Sequence, residues 1–102
     1  MEKRKKIALI TGGSRGLGRN MALSIARKGL DVVITYNSNK EAADEVVDQI
    51  QSLGQKAAAI QLDTSDSATF EAFAAELSDH LTKETGSPNF DYLVNNAGTA
   101  LY

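Results

Sequence analysis

Between Thr11 and Gly18 the chain reads Thr-Gly-Gly-Ser-Arg-Gly-Leu-Gly, a run whose residue types and spacing suit the binding of a pyrophosphate. It follows the apolar segment Ile7-Ala8-Leu9-Ile10 and leads into a helical pattern that begins near Gly16. A strand that ends in a Gly-rich turn and feeds a helix aims unpaired backbone N–H groups and the positive end of the helix dipole at one point, where a diphosphate can sit. Gly12 allows the tight turn off the strand. Gly16 lets the backbone approach the phosphates with no Cβ in the way, and Gly18 permits close packing of the helix on the sheet. Ser14, Arg15 and Leu17 complete the expected cradle. The spacing Gly-x-x-x-Gly-x-Gly differs from the commoner Gly-x-Gly-x-x-Gly fingerprint, and no Lys-Ser or Lys-Thr follows the glycines, which sets aside a P-loop nucleotidase.

The elements that must position this turn can be read from periodicity. Short apolar runs alternate with helical patterns along the whole length, as in strand-helix units around a parallel sheet. Strands are predicted at Ile7–Ile10, Val32–Thr35, Ala57–Leu62 and Tyr92–Val94, each apolar on both alternating sets of positions. The first helix is expected from Gly16 to Lys28, with Leu17, Met21, Ala22, Ile25 and Ala26 on one stripe and Gly29 as a left-handed stop. Ser38-x-x-Glu41 reads as a capping box opening a second helix, which carries Ala43, Val46, Val47, Ile50 and Leu53 and closes at Gly54. A third helix follows Asp63-Thr64-Ser65-Asp66, places Phe70, Phe73, Ala74, Leu77 and Leu81 together, and ends before Gly86-Ser87-Pro88-Asn89. Thr82–Asn89 reads as a loose surface loop without chemistry. Right-handed crossovers put helices one and two on one face and helix three on the other, with strand order 3-2-1-4. The reversal between strands one and four makes a crevice at their carboxyl ends, and open α/β sheets bind ligands at such switch points.

A second motif empties into the same crevice. Asn95-Asn96-Ala97-Gly98 follows the apolar run Tyr92-Leu93-Val94. With Thr-Gly-x-x-x-Gly-x-Gly after the first strand and Asn-Asn-Ala-Gly after the fourth, the chain resembles the short-chain dehydrogenase/reductase family. The resemblance implies an α/β Rossmann-type fold, here one N-terminal cofactor-binding part spanning residues 1–102, incomplete relative to the full family fold. It implies that Asn95 helps tie the strands together while Asn96, Ala97 and Gly98 pass close to the adenosine ribose. Asp63 matches the family's acidic residue that accepts from the adenine amino group, with Thr64 supplying backbone contacts. Asp63 also belongs to a cluster of capping oxygens before a helix, and both roles remain open.

The cofactor is expected to be NADP(H) in preference to NAD(H). An NAD-selective site usually carries an Asp or Glu about 18–20 residues beyond the last glycine, near the end of the second strand. Tyr36 stands there instead, and Thr35-Tyr36-Asn37-Ser38 holds no carboxylate to repel a 2′-phosphate. Asn37 and Ser38 can donate to that phosphate. By resemblance to NADP-dependent members, Arg15 reaches back over the adenosine end, where its planar fork bonds phosphate oxygens in pairs. The missing acid also disfavours a methyltransferase.

In the family the chemistry is done by a Ser and a Tyr-x-x-x-Lys pair, helped by an Asn, all beyond the Asn-Asn-Ala-Gly strand. The chain stops at Tyr102, so no catalytic residue is assigned. Tyr36 and Lys40 have the right spacing in the wrong element, at the ribose end of the cleft. His80 sits on the third helix and is read as a half-buried or solvated side chain without a catalytic role. The expected parent is a carbonyl-reducing or alcohol-oxidising enzyme resembling 3-oxoacyl carrier-protein reductases, and the segment alone is expected to be inactive. The alternative is a noncatalytic dinucleotide-binding or interaction module. Both a piece of a longer reductase and a true short product fit, and any homo-oligomer is expected to form through later helices.

Composition is consistent with a single domain. Of 102 residues, 42% are hydrophobic, enough for one modest core. Eleven Lys and Arg against thirteen Asp and Glu give a net charge of −2, which offers no general attraction to nucleic acid or anionic membrane. There is no Cys, which removes disulfides and thiolate zinc sites, and no metal site is expected. Lys3-Arg4-Lys5-Lys6 precedes an apolar run far too short for a signal peptide or a span, so a soluble, cytoplasmic location is expected.

Overall fold

The computed structural model describes residues 6–13, 16–63, 66, 68–87 and 89–95. Four parallel strands form one sheet: β1 (Ile7–Thr11), β2 (Asp31–Tyr36), β3 (Ala57–Gln61) and β4 (Tyr92–Asn95), in the order β3-β2-β1-β4. Three helices connect them: α1 (Gly16–Arg27), α2 (Lys40–Ser52) and α3 (Ala68–Thr85). The register pairs Ala8 with Val32 and Tyr92, and Ile10 with Ile34 and Val94, so β1 is central and the order reverses beside it.

Alternation along the strands builds two apolar layers. Ile10, Val32 and Ile34 point to the side of α1 and α2, where they meet Ala22, Ala26, Ala43, Val46 and Ile50. Ile7, Leu9, Val33 and Ile60 point the other way and meet Leu77 and Leu81 of α3. Small residues on α1 bring that helix close to the sheet. Across the helices, the Arg19 guanidinium donates to Gln49 Oε1 at 3.0 Å. At the base of the sheet Asp91 Oδ2 accepts from Ile7 N at 2.8 Å, which sets the start of β4 against β1.

Both glycine stops form as expected. Gly29 and Gly54 have φ of +98° and +92°, a region that a Cβ disfavours. Other expectations need correction. The cap of α2 is Asn39, one residue beyond Ser38, with Asn39 Oδ1 accepting from Ala42 N at 3.0 Å. Helix α3 runs through Thr82–Thr85, because buried Leu81 extends its stripe and Thr85 Oγ1 donates back to Leu81 O; the loop therefore starts at Gly86. Leu17, Leu53 and Phe70 lie on the expected stripes yet are exposed, and so is Ala74. Of the strands, only β1 and β2 are buried on both faces; on β4, Tyr92 and Leu93 are exposed.

Candidate functional site

The carboxyl ends of β1, β2 and β3 carry the residues that the sequence singled out. Gly12 follows β1 with φ +68°, and Gly16 opens α1 with φ +60°; both are left-handed positions that favour glycine. Gly16 is exposed, and a Cβ built on it would meet nothing within 4 Å. Gly18, on the first turn of α1, is buried.

Two amides of the turn already have partners within the fold. Gly12 N donates to Thr35 Oγ1 at 3.0 Å, and Gly13 N donates to Thr35 O at 3.1 Å. Among the described residues, Leu17 and Gly18 stand in the first turn of α1, where backbone N–H groups have no partner four residues back within the helix. Leu17 is 66% exposed at the same end, so a large apolar side chain stands beside those donors.

Thr35 and Gly13 are the structural residues that sequence reasoning missed. Thr35 is 2% exposed and closes two hydrogen bonds to the turn from one residue, one through its side chain and one through its backbone. Gly13 crosses directly over β2. A Cβ there would lie 2.6 Å from Ile34 Cγ2 and 2.7 Å from Ile34 Cβ, inside any tolerated contact. A polar residue closing an apolar strand run and a Gly-Gly doublet were the available signals.

At the exit of β2, Tyr36 is half-buried while Asn37 and Ser38 are exposed. This turn is held to β3, since Leu62 N donates to Tyr36 O and Gln61 Nε2 donates to Asn37 O, both at 2.9 Å. Lys40 begins α2 and pairs with Asp44 at 2.9 Å. The hydrogen bond that Lys40 Nζ donates to Asp44, then the charge of that carboxylate, raise the pKa of Lys40 above its ordinary value, with a smaller contribution from Tyr36. Lys40 therefore remains cationic throughout the neutral range beside this turn.

Asp63 lies just beyond β3, half-buried, and its carbonyl accepts from Thr69 Oγ1 at 2.9 Å. Among the described residues, Asp66 Oδ1 accepts from Ala68 N at 3.0 Å at the start of α3. Asn95 pairs with Thr11 through the backbone, and Thr11 Oγ1 donates to Val94 O at 3.4 Å, so β4 delivers its carboxyl end beside the glycine turn. Ser14, Arg15, Thr64, Asn96, Ala97 and Gly98 lie outside the described residues.

His80 is half-buried at the opposite end of the sheet, where it lines a small hollow of about 30 Å³ with Asp31, Lys56 and Glu84. Among the described residues there is no group of three side chains able to hold a metal, and no helix long and apolar enough to cross a membrane.

The short chain dehydrogenase family profile matches residues 6–101. A 3-oxoacyl-[acyl-carrier-protein] reductase of Staphylococcus aureus is 41% identical over 96 residues, covering 94% of this chain and 37% of the relative. A hydroxynaphthalene reductase of Aspergillus fumigatus is 39% identical over 93 residues, covering 91% and 32%. Among solved structures, the promiscuous reductase LugOII, which catalyses keto-reduction at C1 during lugdunomycin biosynthesis, aligns with a TM-score of 0.84 and 40% identity over 89% of this chain and 36% of that one. The angucycline C-6 ketoreductase LanV, solved with bound NADP, aligns at 0.82 with 31% identity over 86% and 34%. The chain thus spans about a third of the length of these relatives. With the glycine turn after β1, the reversed strand order and a match over nearly its whole length, this chain belongs to the short-chain dehydrogenase/reductase family.

Proposed function

We propose that this chain is the dinucleotide-binding part of an oxidoreductase that uses NADP(H) in preference to NAD(H), and that the whole protein interconverts a carbonyl and an alcohol. What supports the reading is a left-handed Gly16 at the start of α1, with free space where a Cβ would stand, next to the strand that lies at the reversal of the sheet order. This geometry fits a diphosphate, because first-turn amides and the helix dipole converge there.

Each residue then has a task. Leu17 and Gly18 donate backbone N–H groups to the phosphates, and Thr35 holds the turn that aims them. Asn37 and Ser38, with Arg15, recognise the 2′-phosphate. No carboxylate stands among residues 35–40, and the Lys40 ammonium adds positive charge that Asp44 partly offsets. Asp63 accepts from the adenine amino group while Thr64, Asn96, Ala97 and Gly98 contact the adenosine end. When bound, the nicotinamide supplies the hydride donor or acceptor. Catalytic groups and the substrate cleft belong to a further part of the protein, so these 102 residues bind cofactor without turnover. A ketone substrate is supported by the reductases to which the chain is similar.

Arg15→Ala is the direct test of cofactor choice. Titration calorimetry with both dinucleotides is expected to show about tenfold weaker NADP+ binding and NAD+ binding unchanged within about twofold, the loss of one charge-assisted phosphate contact. Equal affinity of the wild type for both cofactors, with no effect of the substitution, would contradict the assignment.

A further inference from the structure

We infer that Gln61 is a positioning residue for 2′-phosphate recognition, acting through the peptide between Asn37 and Ser38; the inference rests on the NADP(H) reading above. In an extended continuation of β2 successive carbonyls would alternate sides, and those of Thr35 and Tyr36 do so. Thr35 O accepts from Gly13 N in the glycine turn and Tyr36 O from Leu62 N beyond β3. The Asn37 carbonyl breaks the alternation. It turns back toward β3, where Gln61 Nε2 donates to it at 2.9 Å.

A trans peptide places its N–H opposite its C=O. With the Asn37 carbonyl directed at Gln61, the Ser38 N–H is directed away from β3. Gln61 and Tyr36 are register partners, so the Gln61 side chain starts beside the strand end whose continuation it holds. Nothing else on β3 supplies this bond: Gln61 is the last residue of the strand, and the next one, Leu62, binds the preceding carbonyl through its backbone. Asn37 and Ser38 are both exposed, and their turn precedes the Asn39 cap of α2. Without the Gln61 bond this peptide is free to rotate, and the donors for a 2′-phosphate lose their fixed direction.

The selectivity follows from charge. Hydrogen bonds to a phosphate dianion are stronger than those to a neutral hydroxyl, so loss of a fixed donor direction costs NADP(H) more than NAD(H). Gln61→Met keeps the length of the side chain and removes the donor; Gln61→Glu removes the donor and adds a negative charge near the phosphate.

The test titrates the wild type and both variants of this chain with NADP+ and with NAD+, and records each thermal midpoint. Gln61→Met is expected to weaken NADP+ binding about fivefold, with NAD+ unchanged within about twofold and the midpoint preserved. Gln61→Glu is expected to weaken NADP+ binding further. Equal losses for both dinucleotides, or no loss for either, would overturn the role of Gln61 while leaving the cofactor reading intact. Failure of the wild type to bind either dinucleotide would overturn both.

Discussion

Thr35→Val weakens NADP+ and NAD+ alike, by about tenfold, and lowers the unfolding free energy by about 1–3 kcal/mol. Valine matches threonine in shape and β propensity, so the strand persists while the acceptor for Gly12 N is removed. The bond from Gly13 N to the residue 35 carbonyl survives, which leaves the turn attached at one point instead of two. First-turn amides of α1 then lose a fixed direction toward the phosphates. Because both dinucleotides share that diphosphate, the ratio of their affinities is expected to stay constant, in contrast to the effect at Gln61. Thr35→Ser retains the hydroxyl and is expected to bind within about twofold of wild type. Calorimetric titration and urea denaturation measure both effects, and an unchanged affinity in Thr35→Val would show that the turn is positioned without this hydroxyl.

Gly13→Ala is the second large effect, and its cause is steric. Gly13 has no left-handed φ to accommodate, yet its missing Cβ lies where Ile34 already stands, at 2.6 Å from Cγ2. Ile34 is fully buried and β-branched, so it cannot swing aside without disturbing Ala22, Val46 and their neighbours. Overpacking of this kind costs about 1–3 kcal/mol, and displacement of the turn is expected to abolish measurable dinucleotide binding at micromolar protein. Denaturant unfolding with parallel titration separates the two losses. A variant as stable as wild type would show that the turn and β2 can move apart without cost.

The sheet was legible in the sequence because its signals are local. Four short apolar runs alternating with helical patterns specify four strands, and Gly29 and Gly54 mark helix ends because only glycine readily takes the positive φ found there. Handedness of the crossovers then fixes which face of the sheet each helix covers. Boundaries failed where two neighbouring residues could serve equally. Ser38 and Asn39 are both good capping types, and the choice of Asn39 depends on where α2 meets the sheet.

Burial failed for a different reason. The period of a helix shows which face is apolar, not how much of that face is covered. Leu17 stands past the end of the sheet at the mouth of the glycine turn, and Phe70 lies on the first turn of α3, away from Leu77 and Leu81, where that helix grips the core.

In the candidate site, glycines were visible and their supports were not. Gly12 and Gly16 declare themselves by type, whereas Thr35 reads as an ordinary strand residue until its partner, twenty-three positions earlier in the chain, is placed against it. Gln61 is hidden in the same way. Its bond to Asn37 spans twenty-four positions and exists only because β3 lies beside β2.

The claim underlying the whole account is that the start of α1 receives the phosphates of a nicotinamide dinucleotide. Backbone amide chemical shifts of the isotopically labelled chain, followed during addition of NADP+, test it residue by residue. Saturable shifts are expected at Gly16, Leu17 and Gly18 and, with them, at Asn37, Ser38 and Lys40. Absence of saturable binding, or shifts confined to the hollow around Lys56 and His80 at the opposite end of the sheet, would contradict it.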